Sequence, residues 1–363
     1  MVHLILVFVF VIAAVKITEK SNKNGELLLS FAVLFLFAAL RYEYGNDYES
    51  YRRIFINAKD GINSEAIEPL YYELNKIFPS FQLLIAMLSL LYLFAVYKLI
   101  TKYVDKKYIG LSVLITVINP YLFLMSLSAI RQAFVVALFI LSLVIIQEKT
   151  TKKLLKFIVF LCVTVLSCFI HSTAILLLPF YFVYYCKHNI KRDYLVFVTT
   201  PIILLLFPEI LSWLINAVLQ LLFKNSLSYW NYLTYLESND TNSLRALLLF
   251  LIFYIYVLLN LKKLDEKIYP IAKLYLCGLE FAILAYRYSM FGRFQMYFDI
   301  FSVVTIPAII KANLQARLSP VKKVLYVYIF PCAIFMVYLL RYYSFFTTEL
   351  YSSFFEYRTV FCR

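Results

Sequence analysis

Residues 27–51 read LLLSFAVLFLFAALRYEYGNDYESY, an apolar run that ends abruptly in charge, glycine and tyrosine. A run of this composition predicts a helix in a membrane, and it places Arg41 at the edge of that helix. An arginine in this position, followed six residues later by Asp47, is costly unless something binds there. We therefore interpret the segment after Leu40 as the mouth of a functional site.

Apolar runs separated by short polar segments recur along the whole chain. Hydrophobic residues make up 63% of the 363 residues and charged residues only 15%, whereas soluble domains carry about 25% charged residues. This pattern predicts an all-α, polytopic integral membrane protein whose residues 1–363 form a single transmembrane domain. The first run, Val2 to Val15, lacks a basic leader and a cleavage site, so we predict a span there and not a signal peptide.

The net charge of +14 is explained by membrane topology and does not indicate nucleic acid as a partner. Of the 35 basic residues, 22 lie in six short segments between apolar runs, which is the positive-inside pattern of cytoplasmic loops. These segments are 16–26, 97–107, 147–156, 187–193, 262–273 and 311–323.

Alternating these cytoplasmic segments with external ones predicts about twelve spans in the lipid bilayer, with both termini outside. The spans are approximately 2–15, 27–40, 81–97, 108–125, 131–146, 157–170, 172–186, 194–207, 244–261, 269–286, 294–310 and 324–340. The run 209–223 is predicted to be re-entrant or interfacial. Three irregular external pieces remain, at 41–80, 224–243 and 341–363.

Arginine and lysine are distributed differently between the two sides of the predicted membrane. The cytoplasmic segments hold twenty of the 23 lysines, whereas ten of the twelve arginines lie at or near the external edge. A guanidinium binds phosphate through two parallel hydrogen bonds and stays charged when partly buried. This bias predicts an external anionic ligand, for which a lipid-linked pyrophosphate has the right depth.

The first external loop contains two candidate motifs. Gly45 allows a sharp turn that presents Asp47 near Arg41. The alternative is a capped helix start in which Asp47 pairs with Arg41 or Arg52. Glu68-Pro69-Leu70-Tyr71 follows in the same loop, and its alternative explanation is an interfacial helix that begins at Pro69.

Two further candidates lie where external turns meet apolar runs. Arg131 stands in the first turn of a predicted helix, where it opposes the helix dipole and needs an anion, either a ligand or a carboxylate. His171 lies inside a long apolar stretch, either as a packing residue or as a base or phosphate donor.

Arg287-Tyr288-Ser289-Met290-Phe291-Gly292-Arg293 repeats the combination of arginine, tyrosine and glycine at an external edge. Glu280 and Asp299 lie in the flanking spans, where they could be functional or could pair with Arg287 or Arg293.

The six cysteines show no CxxC or Cys/His spacing. Most of them lie in apolar runs, where cysteine usually acts as a small buried hydrophobe. We therefore predict no metal site, no cofactor and no disulfide framework.

In their order along the chain these motifs resemble those of EpsG-type proteins, which belong to the Wzy polymerases of O-antigen, capsule and exopolysaccharide. The resemblance spans nearly the whole chain. It is carried by Arg41-x3-Gly45-x-Asp47-Tyr48-x2-Tyr51, Glu68-Pro69-Leu70, Arg131-Gln132, His171-Ser172-x-Ala174 and Gly292-Arg293-x3-Tyr297-Phe298. The terminal Glu356-Tyr357-Arg358 is similar to a tail motif of the family that often reads Pro-Tyr.

The resemblance implies a GT-C-like helical fold in the bacterial inner membrane, with the external loop 41–80 forming part of an active site on the external or periplasmic side. The implied substrate is an undecaprenyl-pyrophosphate-linked oligosaccharide, whose repeat units would be joined without a metal. A chain-length regulator and a flippase of the same pathway are the implied protein partners.

For this chemistry we assign Arg131, Arg287 and Arg293 to the pyrophosphate, and Arg41 to a second phosphate or to positioning Asp47. Asp47 and His171 are the candidate general bases, with Asp47 ranked first. The predicted substrate-binding set is completed by Tyr48, Tyr51, Glu68, Gln132 and Tyr297.

Two other functions fit the same composition. A flippase for the same lipid-linked sugar is one alternative, although transporters usually have two related halves and the sequence shows no such halving. An O-antigen ligase is the other, because it would use the same chemistry on a different acceptor.

Overall fold

The computed structural model describes residues 2–20, 25–62, 67–147, 152–186, 188–207, 213, 217, 244–286, 288 and 291–361. These residues form two compact units. Unit 1 consists of Met1–Phe182 together with Phe335–Arg363, and unit 2 consists of Val183–Ile334. That the whole chain is one transmembrane domain stays a prediction.

Unit 1 is built from helices and one very short pair of strands. Its elements are α1 (Val2–Lys20), α2 (Gly25–Leu40), β1 (Arg41–Tyr42), α3 (Tyr48–Lys59), α4 (Pro69–Ile77), α5 (Phe81–Tyr103), α6 (Ile109–Ile118), α7 (Leu124–Ser128), α8 (Ile130–Ile146) and α9 (Lys153–Cys168). Short 3₁₀ helices occupy Lys106–Tyr108, Ser172–Leu177 and Glu349–Phe354, and β2 (Arg358–Thr359) pairs with β1. The core lies around α5, which packs against α2 and α8, while α1 packs against α2 and α6.

Unit 2 is also helical. Helix α10 (Phe180–Tyr185) leads into it from unit 1, and its further helices are α11 (Ile190–Leu206), α12 (Leu244–Asn260), α13 (Tyr269–Leu284), α14 (Phe291–Asp299), α15 (Ser302–Gln315) and α16 (Pro320–Val324). A π-helical turn, Leu325–Ile329, connects α16 to α17 (Phe330–Phe345), which returns to unit 1.

Helix α13 forms the centre of unit 2, and it contacts α11, α12, α14 and α15. Gly278 allows α14 to approach α13 closely, because a Cβ atom built there would lie only 2.5 Å from the Cβ atom of Phe298 in α14. At the start of α13, the Tyr269 hydroxyl donates a hydrogen bond of 2.8 Å to Asp193 Oδ2, which fastens α13 to α11. The Nζ atom of the buried Lys273 lies 3.9 Å from Asp193 Oδ2 and forms an ion pair that also connects the two helices.

The helical nature of the protein, predicted from the apolar runs, is confirmed. By length and composition, α5 and the run Pro320–Phe345 are long and apolar enough to cross a membrane. Helices α14 and α15 together would make a third span, bent by 58° at the break between them. The described residues therefore hold two or three such spans, and the predicted topology of about twelve stays a prediction.

Several predicted span boundaries differ from the structure. The predicted span 108–125 is interrupted, because α6 ends at Ile118 and α7 begins at Leu124. Pro120 lies in this break, and a proline disfavours helical conformation in the residue before it, here Asn119. The predicted span 172–186 begins as a 3₁₀ helix and becomes α-helical only at Phe180. The predicted re-entrant run 209–223 and the external piece 224–243 lie outside the described residues, apart from positions 213 and 217.

The external piece 41–80, predicted to be irregular, contains two helices, and that prediction was wrong in this respect. In α3, buried Tyr48, Tyr51 and Phe55 alternate with polar residues at helical spacing. Helix α4 begins with Pro69 in its first turn, as in the alternative explanation of the Glu68-Pro69 motif. The loop is therefore a pair of amphipathic helices, which hold its side chains more rigidly than an irregular segment would.

The C-terminal segment covers the beginning of this loop. Strand β1 pairs antiparallel with β2, with Arg41 opposite Thr359 and Tyr42 opposite Arg358. Next to the strands, the Tyr357 ring stacks on Phe37 with centroids 4.0 Å apart, and its hydroxyl donates a hydrogen bond of 2.7 Å to the Phe37 carbonyl. The C-terminal motif Glu356-Tyr357-Arg358 therefore packs against the segment that begins at Arg41.

Gly45 has a φ of +113°, which favours glycine, and it lies directly against α7. A Cβ atom at this position would lie 3.0 Å from the Leu127 carbonyl oxygen, a backbone atom that cannot rotate away. The turn therefore needs glycine both for its conformation and for this close approach.

Candidate active site

Three separate segments of unit 1 bring a carboxylate, a guanidinium and an imidazole together. Glu68 precedes α4, Arg131 lies in the first turn of α8, and His171 follows the end of α9. In the sequence these residues belong to three different motifs, and only the fold makes them neighbours.

Backbone hydrogen bonds hold the start of α4 against the turn that follows α9. The amide groups of Leu70 and Tyr71 both donate to the Phe169 carbonyl, at 3.0 and 3.3 Å. In the opposite direction, the Ser172 amide donates to Glu68 Oε1 at 3.0 Å. Because Pro69 has no amide hydrogen and has a fixed φ, it starts the helix at the point where these contacts form.

Glu68 uses its two carboxylate oxygens for two different partners. Its Oε2 accepts a hydrogen bond from Arg131 Nη1 in an ion pair, and its Oε1 lies 3.5 Å from His171 Nδ1. The exposed fractions of the side chains are 14% for Glu68, 22% for Arg131 and 23% for His171. The anion that Arg131 needs within the protein is therefore a carboxylate, while part of the guanidinium remains accessible.

Two buried tyrosines, which contact each other, both lie next to the guanidinium of Arg131. Its central carbon lies 5.7 Å from the ring centroid of Tyr51 and 5.5 Å from that of Tyr71. The two rings meet edge to face, with centroids 6.0 Å apart. A cation next to two aromatic rings gains attraction from both, and the hydrogen bond with Tyr51 further restrains this guanidinium. Arg131 is thus fixed in orientation before any ligand binds.

The electrostatics of the cluster keep Glu68 ionised. Burial alone would raise the pKa of Glu68, but the hydrogen bond with His171, the charge of Arg131 and the Ser172 amide together lower that pKa to about 2. At neutral pH Glu68 is therefore a carboxylate that accepts hydrogen bonds and does not donate them.

The buried polar side chains of this cluster are largely paired with one another. Glu68 shares a hydrogen bond with His171, and Tyr71 shares one with Asn75. The guanidinium of Arg131 shares one with Tyr51, although its Nε atom has no partner within the described residues. Buried polar groups in folded proteins are nearly always satisfied, and this pairing holds the side chains of the cluster in defined positions.

Asp47 lies at the edge of the same region. It is exposed and immediately precedes α3, with no side-chain capping bond, and its amide donates to Ser128 Oγ at 3.2 Å. Ser128 precedes Arg131 by three residues, and the negative charge of Asp47 acts on the Tyr51 hydroxyl. The structure therefore places Asp47 near Tyr51 and Arg131.

Two other predicted residues of unit 1 are buried. Tyr48 packs edge to face against Tyr42 and Phe81, with ring centroids 6.2 and 5.2 Å away. Gln132 is only 6% exposed in α8. Their assignment to substrate binding stays a prediction.

Arg41 is buried, and its described hydrogen bonds go to neutral groups. Its Nη1 donates to the Ala38 carbonyl and to Ser89 Oγ at 3.3 Å, and its Nη2 donates to the Leu127 carbonyl at 3.2 Å. These contacts join the end of α2 to α5 and α7. The structure thus gives Arg41 a place in the core, and a phosphate-binding role for it stays a prediction.

In unit 2, Arg293 is exposed on α14 and Tyr297 is buried in the same helix. Arg287 lies outside the described residues. Glu280 accepts a hydrogen bond of 3.0 Å from the Tyr254 hydroxyl, and Gln295 donates to both oxygens of Asp299 at 3.0 and 2.8 Å. The grouping of Arg287 and Arg293 with Arg131 stays a prediction.

Tyr71 and Asn75 belong to the cluster but were absent from the predicted site. A signal for Tyr71 existed, since it follows Glu68 by three residues and so begins the same helical face. The Phe169 carbonyl could not have been predicted, because a backbone acceptor carries no sequence signal.

Among the described residues, no group of three or more histidine, cysteine, aspartate or glutamate side chains is arranged to hold a metal ion. Five cysteines are free thiols, at positions 162, 168, 186, 277 and 332, and Cys362 lies outside the described residues. The absence of a metal or cofactor from the reaction stays a prediction.

The fold and this cluster define a helical membrane protein with an ion-paired arginine, a histidine and a carboxylate at a partly exposed site. The chain belongs to the EpsG family, whose model matches residues 26–359 and so covers nearly the whole length. The predicted resemblance is therefore confirmed. In general terms the protein is a membrane protein of the polysaccharide-polymerase type. No curated protein and no solved structure matches the chain.

Proposed function

We propose that the protein is a glycosyltransferase of the Wzy type, which joins undecaprenyl-pyrophosphate-linked oligosaccharide repeat units into O-antigen or a related surface polysaccharide. The observation that carries the proposal is the partly exposed guanidinium of Arg131, fixed by Glu68 beside His171 in a chain of the EpsG family. The reaction takes place at the outer leaflet of the bacterial inner membrane, and a flippase and a chain-length regulator are the expected partners.

The chemistry is a displacement at an anomeric carbon. A sugar hydroxyl of one repeat unit attacks the anomeric carbon of another, forming a new carbon–oxygen bond. The bond from that carbon to the pyrophosphate breaks, and undecaprenyl pyrophosphate leaves with the electron pair. The hydroxyl proton passes to a general base, for which His171 and Asp47 are the candidates.

Arg131 has the properties that the leaving group requires. Charge develops on the pyrophosphate as the bond breaks, and a fixed guanidinium in a partly buried site stabilises that charge without having to reorganise. The neighbouring rings of Tyr51 and Tyr71 reduce its contact with water and so lower the local dielectric constant, which strengthens this interaction. Arg287 and Arg293 are proposed to bind the same pyrophosphate.

The test is complementation of a deletion strain, read as the ladder of surface glycan on a gel. Lysine retains the charge of Arg131 and its ion pair with Glu68 but cannot bind phosphate through two hydrogen bonds. We expect Arg131→Lys to reduce polymerisation about 100-fold, so that essentially only single repeats appear. The matched control is Arg53→Lys at an exposed position of α3, which should give the full ladder.

Immunoblots of membranes must show equal amounts of both variants. A full-length ladder from Arg131→Lys would refute the role of Arg131. A deletion strain that lacks even the single repeat on its lipid core would refute polymerisation itself and favour a flippase or a ligase.

A further inference from the structure

We infer that Glu68 is a positioning residue of this reaction. It orients His171 so that the Nδ1–H group points toward the Glu68 carboxylate, and Nε2 is then the base that accepts the proton of the acceptor hydroxyl. The inference rests on the proposed function and deepens it, because it selects His171 over Asp47 as the base and assigns a role to Glu68.

The first argument is the set of donors that converge on Glu68. Arg131 Nη1 donates to Oε2 and the Ser172 amide donates to Oε1, and His171 Nδ1 lies 3.5 Å from that same Oε1. Arginine and a backbone amide can only donate, so both oxygens must accept. An ionised carboxylate satisfies this arrangement, and it leaves donation as the only hydrogen-bonding role for His171 Nδ1.

The state of one imidazole nitrogen determines that of the other. If Nδ1 of a neutral imidazole carries the hydrogen, then Nε2 carries the lone pair and can remove a proton. Nδ1 is buried, whereas the side chain as a whole retains 23% exposure. The accessible part of the ring is therefore directed away from Glu68, as proton removal from a bound substrate requires.

The separation of 3.5 Å between His171 Nδ1 and Glu68 Oε1 lies at the long end of hydrogen-bond distances. Glu68 Oε1 is thus the acceptor for this buried donor, and a small approach of the two side chains would strengthen the hydrogen bond.

The second argument is the position of Arg131 on the other oxygen of the same carboxylate. In a direct displacement the entering and leaving oxygens lie on opposite faces of one carbon. The base and the anion-binding group must therefore be held close to the same carbon but apart from each other. Glu68 holds His171 and Arg131 on its two separate oxygens, which places both groups at one site and keeps them distinct.

Glu68 itself is a poor base. Its two oxygens are already engaged, and the low pKa of its carboxyl makes proton uptake at neutral pH unfavourable. In the complete step, the acceptor oxygen bonds to the anomeric carbon and its proton moves to His171 Nε2. The pyrophosphate leaves toward Arg131 with the electron pair of the broken bond, and Glu68 stabilises the imidazolium that has formed.

The experiment is a double-mutant cycle on the full-length protein in lipid vesicles, with lipid-linked repeat units as substrate and kcat as readout. Glu68→Gln replaces one accepting oxygen by a donor and disturbs the orientation of His171, so we expect kcat to fall about 100-fold or more. His171→Gln should lose a similar factor. If Glu68 acts through His171, adding Glu68→Gln to His171→Gln should cost less than about tenfold further.

Two variants separate this role from a structural one. Glu68→Asp retains the charge and should restore a large part of the kcat lost in Glu68→Gln, even if the latter accumulates poorly. The matched control is Glu49→Gln, since Glu49 is an exposed acid of α3 that is ion-paired to Arg52 at 3.5 Å. It should behave as wild type.

The outcomes distinguish this inference from the proposed function. No polymer from the wild-type protein would refute the function itself. If the wild-type protein makes polymer but the double mutant loses kcat by the product of the two single-mutant factors, the positioning role of Glu68 is refuted. A near-normal kcat in His171→Gln together with loss of kcat in Asp47→Asn would make Asp47 the base and overturn the inference.

Discussion

Arg41 and Arg131 are both arginines at the edge of an apolar segment, but their contacts in the structure differ. Arg41 is buried and donates to the Ala38 and Leu127 carbonyls and the Ser89 hydroxyl, so its charge serves to join helices. Arg131 donates to the carboxylate of Glu68 and retains part of its surface. Two properties therefore distinguish an arginine of the core from one that can bind a ligand. They are the chemical type of its hydrogen-bond acceptor and the exposed fraction of its side chain.

The largest effect on folding should come from removing the guanidinium of Arg41. Arg41→Met keeps much of the side-chain volume but leaves two carbonyls and a hydroxyl without their donor. We expect the free energy of unfolding to fall by about 3 kcal/mol, because buried polar groups would lose their partners. Reversible unfolding in detergent micelles would measure this loss.

The control for Arg41→Met is Arg53→Met, which changes an exposed arginine and should shift the free energy of unfolding by less than about 0.5 kcal/mol. If Arg41→Met folds normally and only polymerisation is lost, then Arg41 belongs to the ligand site and the contrast with Arg131 fails.

A smaller effect should follow from substitution of the glycine that allows the loop of Arg41 to pass close to α7. Gly45→Ala forces an L-residue into a φ of +113° and places a Cβ atom 3.0 Å from the Leu127 carbonyl oxygen. We expect a loss of about 2 kcal/mol in unfolding free energy, from backbone strain and contact together.

Gly61→Ala is the matched control, because Gly61 has a φ of +75° but no atom within 4 Å of a built Cβ. It should cost about 1 kcal/mol from backbone strain alone. Equal losses in the two variants would show that the approach of Gly45 to α7 contributes nothing.

The smallest effect should come from the tail that covers the Arg41 region. Tyr357→Phe keeps the ring stacked on Phe37 and removes only the hydroxyl that donates to the Phe37 carbonyl. The expected loss is about 1 kcal/mol, the typical net contribution of one hydrogen bond. Tyr343→Phe, at an exposed position of α17, should leave the unfolding transition unchanged. A wild-type transition for Tyr357→Phe would mean that the tail is held by its strand pairing and not by this hydroxyl.

Much of the candidate site could be predicted from the sequence, because its residues are exceptions to local patterns. Arg131 was recognisable as a cation in the first turn of a helix, and Glu68 as an acid before a proline in a loop predicted to be external. The predicted set omitted Tyr71 and Asn75, which look like ordinary residues of an amphipathic helix. It also took loop 41–80 to be irregular, because its apolar positions are few and the helical periodicity of α3 is carried by tyrosines.

The sequence by itself determined the helical membrane class, the family and the need of Arg131 for an anion. All three follow from hydropathy, motif order and helix polarity, which are properties of neighbouring residues. The tertiary structure alone decided which anion Arg131 meets, since Glu68 lies 63 residues away in the chain. It likewise decided that Arg41 would meet carbonyl oxygens. Partners of this kind are chosen by the packing of distant helices, and a backbone carbonyl is present at every residue, so no local pattern of side chains could have identified them.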